Sequence, residues 1–130
     1  MQTSSHKPTE AELEILQVLW AQGASTVRQV NEEINKSKPD VGYTTTLKLM
    51  QIMKDKGLVH RDTSSRQHIY QAAVEEGLVQ DGMVKNVIDR FFHGSAKRLI
   101  MHTLGQEEPT AEELDEIKKL IQQIESEVKE

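Results

Sequence analysis

The amino-acid sequence predicts a mainly α-helical fold that contains one small β-hairpin. Two observations lead to this prediction. Apolar residues recur every three or four positions along most of the chain, which is the spacing of one helix face. A single region, residues 58–72, combines two short β-prone stretches with a turn-like sequence between them. The order of the elements predicts a winged helix-turn-helix domain over residues 1–73, followed by an all-helical domain over residues 74–130.

The first two helices are predicted from their ends. Thr9 and Glu12 have the spacing of a capping box, in which a hydroxyl and a carboxylate satisfy free backbone N–H groups at a helix start. Gly23 is a helix-ending residue, and Ser25 is predicted to cap a second, short helix. The inward side chains of that second helix are Val27, Val30 and Ile34. Proline and glycine in residues 38–42 then interrupt the helical pattern.

The third helix and the hairpin complete the predicted N-terminal domain. The helix is expected to begin near Tyr43 or Thr44 and to reach about Lys56, because Gly57 follows. Its buried face carries Thr46, Leu49, Met50 and Met53. Residues 58–61 and 67–72 are predicted strands, joined by a turn over residues 62–66.

Three further helices are predicted in the C-terminal part. An apolar pattern runs over residues 75–92, and Gly94-Ser95 breaks this helix and caps a second one that includes Leu104. After Gly105 and Pro109, Thr110 and Glu113 form another capping box, which opens the last helix.

Composition and charge limit the possible functions. The chain of 130 residues has no cysteine, which excludes disulfides, a thiol nucleophile and cysteine-ligated metals. The formal net charge of −5 argues against nonspecific binding along nucleic acid. Residues 1–73 nevertheless hold nine basic and eight acidic residues, whereas residues 74–130 hold seven basic and thirteen acidic ones. The first part is therefore able to bind a polyanion, and the second is expected to bind protein. Such an asymmetry of charge between two parts of a chain also arises by chance.

The start of the third helix is the candidate DNA-reading surface. In a winged helix this helix enters the major groove with its N-terminal residues facing base edges. Those residues are Tyr43, Thr44 and Thr45, with Lys48 one turn further on, and Arg66 stands at the predicted hairpin tip. Small hydroxyls allow close approach to DNA, and the cationic side chains neutralise phosphates. The alternative is that the threonines only cap the helix.

Several segments resemble the penicillinase repressor family, the BlaI, MecI and CopY type. They occur in the family's order and extend over nearly the whole chain. They are ELEILQVLW at 12–20, GYTTTLKLM at 42–50, KGLV at 56–59, the pair Arg66 and Tyr70, and FFHGS at 91–95. The resemblance implies a homodimeric repressor that binds a palindromic operator through its winged helix and dimerises through its C-terminal helices. It also implies relief of repression by proteolysis, triggered by a membrane sensor with a metalloprotease domain.

The chain departs from the family pattern at several positions. Lys48 and Ile52 stand where the family often has threonine and arginine, so the preferred operator is expected to differ. The absence of cysteine argues against the copper-responsive branch. Staphylococcal-type members are cut at an Asn-Phe bond, which aligns with His102-Thr103. The candidate cleavage region is therefore Met101, His102, Thr103 and Leu104.

The C-terminal helices are the candidate dimerisation surface. The adjacent Phe91 and Phe92 cannot both face one small core, so a partner chain is expected to cover the surplus apolar surface. The predicted contact residues are Val84, Val87, Ile88, Phe91, Phe92, Leu99, Ile100, Leu114, Ile117 and Ile121. A dimer links two DNA-binding domains, each on its own half-site, and this raises the apparent affinity for DNA. Cleavage near residues 100–105 would remove this gain in affinity. The alternative is that these helices fold back on the N-terminal domain.

The sequence contains no catalytic or cofactor motif. There is no Gly-rich phosphate loop and no nucleophile-turn pattern, so we predict neither an enzyme nor a cofactor. His60 and His68 could meet across the hairpin, but two imidazoles make an incomplete metal site, and no metal is predicted. The polar N-terminus lacks a signal-peptide stretch and no apolar run suits a membrane span, so we expect a cytoplasmic protein. Two alternative functions stay open: a winged-helix regulator released by a small molecule, and a protein-interaction module without DNA binding.

Overall fold

The computed structural model describes residues 7–128 of the chain. The chain divides into two compact units, Met1–Gly82 and Met83–Glu130. The ends of the two predicted domains, residues 1–6 and 129–130, lie outside the described residues. A functional boundary after residue 73 stays a prediction.

Residues 7–75 of the N-terminal unit form three helices and three short strands. In chain order they are α1 (Glu10–Gln22), β1 (Ser25–Thr26), α2 (Val27–Ser37), α3 (Tyr43–Lys56), β2 (Val59–Asp62) and β3 (Ile69–Ala72). This order confirms the predicted fold class, three helices followed by a hairpin, which is the winged helix-turn-helix arrangement.

Local signals at the helix ends account for most of these bounds. Thr9 Oγ1 accepts a hydrogen bond from the Glu12 backbone N–H at 3.2 Å, and Glu12 Oε1 accepts one from the Thr9 N–H at 3.0 Å. Gly57 ends α3 with a φ of 83°, in the left-handed region that glycine adopts without strain. The prediction that Ser25 caps α2 is wrong. Thr26 is the cap, in a capping box with Gln29.

Ser25 instead belongs to a strand that the sequence analysis did not predict. The sheet is antiparallel with strand order β1-β3-β2. Ser25 pairs with Tyr70, which places Ser25 inside the fold at 3% exposure. The register of β2 and β3 pairs His60 with Gln71. The expectation that His60 meets His68 across the hairpin is therefore wrong.

The hydrophobic core lies between the three helices and the sheet. Its buried side chains come from α1, α2, α3, the residue before β2, β2 and β3: Ile15, Leu16, Leu19, Val27, Val30, Ile34, Met50, Met53, Leu58, Val59 and Tyr70. Trp20 of α1 packs against this core and donates from Nε1 to the Val74 carbonyl at 3.0 Å. The segment after β3 is thereby attached to α1.

One ion pair at the edge of this core joins a buried carboxylate to a half-buried lysine. Lys56 Nζ at the end of α3 donates to both carboxylate oxygens of Glu12 near the start of α1, at 3.0 and 2.8 Å. Burial raises the pKa of Glu12, but the hydrogen bonds from Lys56 and from the Thr9 backbone outweigh this effect, so the net pKa lies below the ordinary value. The pair connects two helix ends that are 44 residues apart in sequence.

Helices joined by short turns make up the described part of the C-terminal unit. Helix α4 (Glu76–Phe91) contains the division between the units, and α5 (Ala96–Gln106) and α6 (Ala111–Val128) follow. Ser95 caps α5, and Thr110 and Glu113 form the predicted hydrogen bonds before α6. Helix α5 continues through Gly105 and ends at Gln106.

Two observations concern residue burial and the ability of the helices to cross a membrane. None of residues 83–128 is buried. Among residues 7–128, the helices are too short or too polar to cross a bilayer.

Candidate nucleic-acid interface

Helix α3 has one buried face and one exposed face. Thr46, Met50 and Met53 are buried at 0 to 1% exposure. Tyr43, Thr44, Thr45 and Lys48 are exposed. The four residues predicted to read DNA therefore lie together at the accessible start of the helix.

The threonines do not cap the helix. The N-cap is Gly42, and among the described residues no side chain supplies a cap hydrogen bond there. Thr44 and Thr45 lie inside the first turn of α3. The alternative that this threonine cluster serves only as a cap is therefore wrong.

Two asparagines of α2 fix the turn that leads into α3. Asn35 Oδ1 accepts the Val41 N–H at 2.8 Å, and Asn35 Nδ2 donates to the Val41 carbonyl at 2.9 Å. Asn31 Nδ2 donates to the same carbonyl at 3.0 Å and to Thr46 Oγ1 at 2.9 Å. Because these bonds join α2, the turn and α3, they set the direction in which α3 leaves the turn.

The hairpin tip is shaped by short-range hydrogen bonds. Asp62 Oδ1 accepts the Ser64 N–H at 2.9 Å, and hydrogen bonds from Ser64 hold the pKa of Asp62 below its ordinary value. Ser65 Oγ donates to the Gln67 carbonyl at 2.8 Å. Arg66 is exposed between these turns, as predicted for a hairpin-tip contact.

A groove of about 270 Å³ connects the start of α3 with the hairpin. Basic and aromatic side chains line it, among them Arg28, Tyr43, Arg61, Arg66 and His68. The Arg28 guanidinium carbon stands 6.0 Å from the centre of the Tyr43 ring, which is within cation–π range. The structure thus brings together two predicted residues, Tyr43 and Arg66, with two arginines that sequence reasoning did not select.

The signal for Arg28 and Arg61 in the sequence is weak. Arg28 lies in the first turn of α2, and Arg61 lies in β2 opposite Tyr70. Basic residues in these two elements are far apart along the chain, and only the packing of α2 beside the hairpin places them around one groove.

The predicted dimerisation residues are accessible in the C-terminal unit. Five of them are half-buried: Val87, Ile88, Phe92, Leu99 and Ile117. The other five are 38 to 67% exposed: Val84, Phe91, Ile100, Leu114 and Ile121. Phe92 also makes an edge-on contact with the His102 ring, at 5.6 Å between ring centres.

The candidate cleavage region lies within α5. Met101, His102, Thr103 and Leu104 are all exposed, and they all have helical backbone. Thr103 Oγ1 donates to the Leu99 carbonyl at 2.8 Å, one turn earlier.

Among residues 7–128, His, Asp and Glu side chains form no cluster of three or more that could hold a metal ion.

The helix-turn-helix, the exposed start of α3 and the adjoining hairpin define a winged-helix protein of the DNA-binding class. The sequence profile of the penicillinase repressor family matches residues 8–123. The chain therefore belongs to the penicillinase repressor family, whose members are transcriptional repressors.

Individual relatives match over most of their length. The penicillinase repressor of Bacillus licheniformis is 21% identical over 115 residues, which cover 88% of this chain and 89% of the relative. The methicillin resistance regulatory protein MecI of Staphylococcus aureus is 22% identical over 121 residues, with 93% and 98% covered. A solution structure of the DNA-binding domain of the repressor BlaI matches with a TM-score of 0.49 and 21% identity, and covers 56% of this chain and 90% of that one.

Proposed function

We propose that the chain is a homodimeric transcriptional repressor that binds a palindromic operator. The single observation that carries the proposal is the exposed cluster of Tyr43, Thr44, Thr45 and Lys48 at the start of α3, in a chain of the penicillinase repressor family. A helix start with small hydroxyls and a nearby cation suits insertion into the major groove. The tip residue Arg66 contacts the flanking backbone.

Dimerisation is supported by the composition of the C-terminal surface. Residues 83–128 hold no buried residue, although they contain many large apolar side chains. Soluble monomers rarely expose contiguous apolar patches of this kind. A second copy that covers this surface would form a two-fold dimer, and such a dimer places its DNA-reading helices on half-sites about one helical turn apart.

Relief of repression by proteolysis is the mechanism we favour for the switch. The names of the relatives connect them with penicillinase and methicillin resistance, and we extend that regulatory role, with a sensor-linked protease, to this chain. The region Met101 to Leu104 is exposed, but its backbone is helical. Because proteases bind extended backbone, cleavage here requires local opening of α5.

A gel-shift experiment tests the repressor proposal. The promoter DNA upstream of the protein's own gene is expected to bind in preference to a scrambled duplex of the same length. Thr45→Ala and Lys48→Ala should each weaken operator binding while the dimer persists in analytical ultracentrifugation. Lys36→Ala, at the opposite end of α2 from the groove, is the matched control and should bind as the wild type does. Equal affinity of the wild type for both duplexes would contradict the proposal.

A second experiment tests dimerisation separately. Phe91 is 67% exposed at the end of α4, so Phe91→Asp places a charge on the proposed interface without disturbing a buried core. We expect this variant to sediment as a monomer and to lose the avidity of operator binding. Asp89→Asn, also exposed on α4, serves as the control. A variant that remains dimeric would place the interface elsewhere.

A further inference from the structure

We infer that the groove between α2, α3 and the hairpin binds a backbone phosphate of duplex DNA, with Arg28 and Arg61 as its ligands. This inference rests on the proposed function, because it specifies how the winged helix holds its DNA. It adds a phosphate site to the predicted base-reading surface, and the two proposed ligands, Arg28 and Arg61, are not among the predicted DNA-contacting residues.

The charges of the groove are the first argument. Three arginines line it, and no carboxylate among residues 7–128 does so. The nearest acidic side chain along β2, Asp62, is engaged by the Ser64 N–H at 2.9 Å. A concentration of positive charge in a chain with a net charge of −5 creates a local field that attracts a polyanion.

The ion-pairing pattern is the second argument. Within residues 7–128, every ion pair uses a lysine: Lys36, Lys38, Lys56, Lys85 and Lys119. Arg28, Arg61 and Arg66 have no carboxylate oxygen within 4.0 Å in that part of the chain. The guanidinium groups of the groove are therefore available to an external anion. Guanidinium is also the side chain that binds phosphate in a bidentate manner.

The placement of the two arginines is the third argument. The Tyr43 ring lies beside Arg28, with 6.0 Å between the guanidinium carbon and the ring centre, and this contact restrains the arginine next to the start of α3. Arg61 is half-buried on β2 and pairs with Tyr70, which is only 1% exposed. Because Arg28 lies on α2 and Arg61 on β2, a phosphate bound by both would connect α2 with the hairpin.

A phosphate held in this way has a distinct functional signature. Phosphate contacts set the position of the protein on the duplex but carry no base information. Loss of Arg28 or Arg61 should therefore weaken binding to operator and scrambled DNA by the same factor. Loss of Lys48 or Thr45 should instead lower the preference for the operator.

The test uses the full-length chain and the variants Arg28→Gln and Arg61→Gln. Binding to the operator duplex and to a scrambled duplex is measured between 50 and 200 mM KCl. Together the two substitutions should reduce the slope of log affinity against log salt by about 0.9, the value for one phosphate contact, and each variant alone should reduce it by part of that amount. Lys36→Gln removes the same charge from the other end of α2 and should keep the wild-type slope.

Two further measurements separate the contact from effects on folding. The unfolding midpoint, followed by the fluorescence of Trp20, should be unchanged in Arg28→Gln. Arg61 is half-buried, so Arg61→Lys is measured beside Arg61→Gln and should keep the slope because it keeps the charge. A wild-type slope in both glutamine variants, or a loss confined to the operator duplex, overturns the inference.

The source of the phosphate is tested with inorganic phosphate alone. Saturable binding of this ion to the wild type, combined with unchanged DNA slopes in the variants, would assign the groove to a free anion and overturn the duplex assignment. The repressor proposal fails on a different result, equal wild-type affinity for both duplexes. The slopes on the scrambled duplex still decide the phosphate contact in that case.

Discussion

Replacing Lys56 with methionine should destabilise the N-terminal unit by about 3 kcal/mol at neutral pH, because it leaves a buried carboxylate without its counter-charge. Glu12 is 2% exposed and accepts three hydrogen bonds, two from Lys56 and one from the Thr9 backbone. Methionine keeps most of the aliphatic stem but removes both charge-assisted bonds. The Lys56 side chain is 31% exposed, so water reaches the site and the loss stays at the low end of the range for buried pairs, about 3 to 5 kcal/mol.

The dependence of this loss on pH distinguishes an electrostatic effect from a packing effect. In the wild type the pKa of Glu12 is lowered by folding, so its contribution to stability is present above the unfolded pKa, about 4.3, and is lost as the pH falls through the lower folded pKa. Without Lys56, the hydrogen bonds that lower the pKa of Glu12 no longer outweigh the effect of burial, so this pKa should rise. The gap in stability between wild type and variant should therefore narrow as the pH falls below about 4.5.

Urea unfolding followed by tryptophan fluorescence measures this effect. Trp20 is the only tryptophan and is hydrogen-bonded to Val74, so its emission reports on the N-terminal unit. Protein concentration is kept constant because an oligomer would shift the midpoint. Lys54→Met, on the exposed side of the same helix, should cost less than about 0.5 kcal/mol. A similar loss in both variants, or a gap that does not change between pH 7 and pH 3, would refute the reasoning.

Three further predictions concern the turn before α3, its backbone and helix α5. Asn35→Ala removes two hydrogen bonds to Val41 and should lower the free energy of unfolding by about 2 kcal/mol and weaken operator binding, as measured by urea unfolding and gel shift. Asp40 has a φ of 73°, so Asp40→Gly should raise stability by about 0.5 kcal/mol in the same unfolding assay, and a loss would show that the aspartate makes a compensating contact. A Cβ at Gly105 meets no atom within 4 Å, so Gly105→Ala should stabilise α5 by about 1 kcal/mol. The same substitution should slow limited proteolysis at residues 101–104 about fivefold. An unchanged rate would show that cleavage does not require opening of α5.

The features that the sequence predicted are those with local causes. The capping box at Thr9 and the glycine at position 57 act within one helical turn, so the bounds of α1 and the end of α3 follow from neighbouring residues. The exposed start of α3 also follows from the sequence, since the apolar period places Met50 and Met53 on the opposite face.

The features that the sequence did not reveal depend on contacts between distant residues. Strand β1 is two residues long, and its pairing of Ser25 with Tyr70 connects positions with no shared local pattern. Thr26 caps α2 in place of Ser25 because the helix begins at Val27, one residue after Thr26. The basic groove needs Arg28 from a helix and Arg61 from a strand, and tertiary packing alone brings them together.

The lack of any buried residue in positions 83–128 has a consequence for gene control. If the C-terminal units order each other only in pairs, the concentration of assembled repressor rises with the square of the protein's concentration in the cell at low copy number. Expression of the controlled genes would then respond to the dosage of this protein as a threshold, so that a modest fall in its level, by dilution during growth or by destruction of the tail, releases transcription sharply.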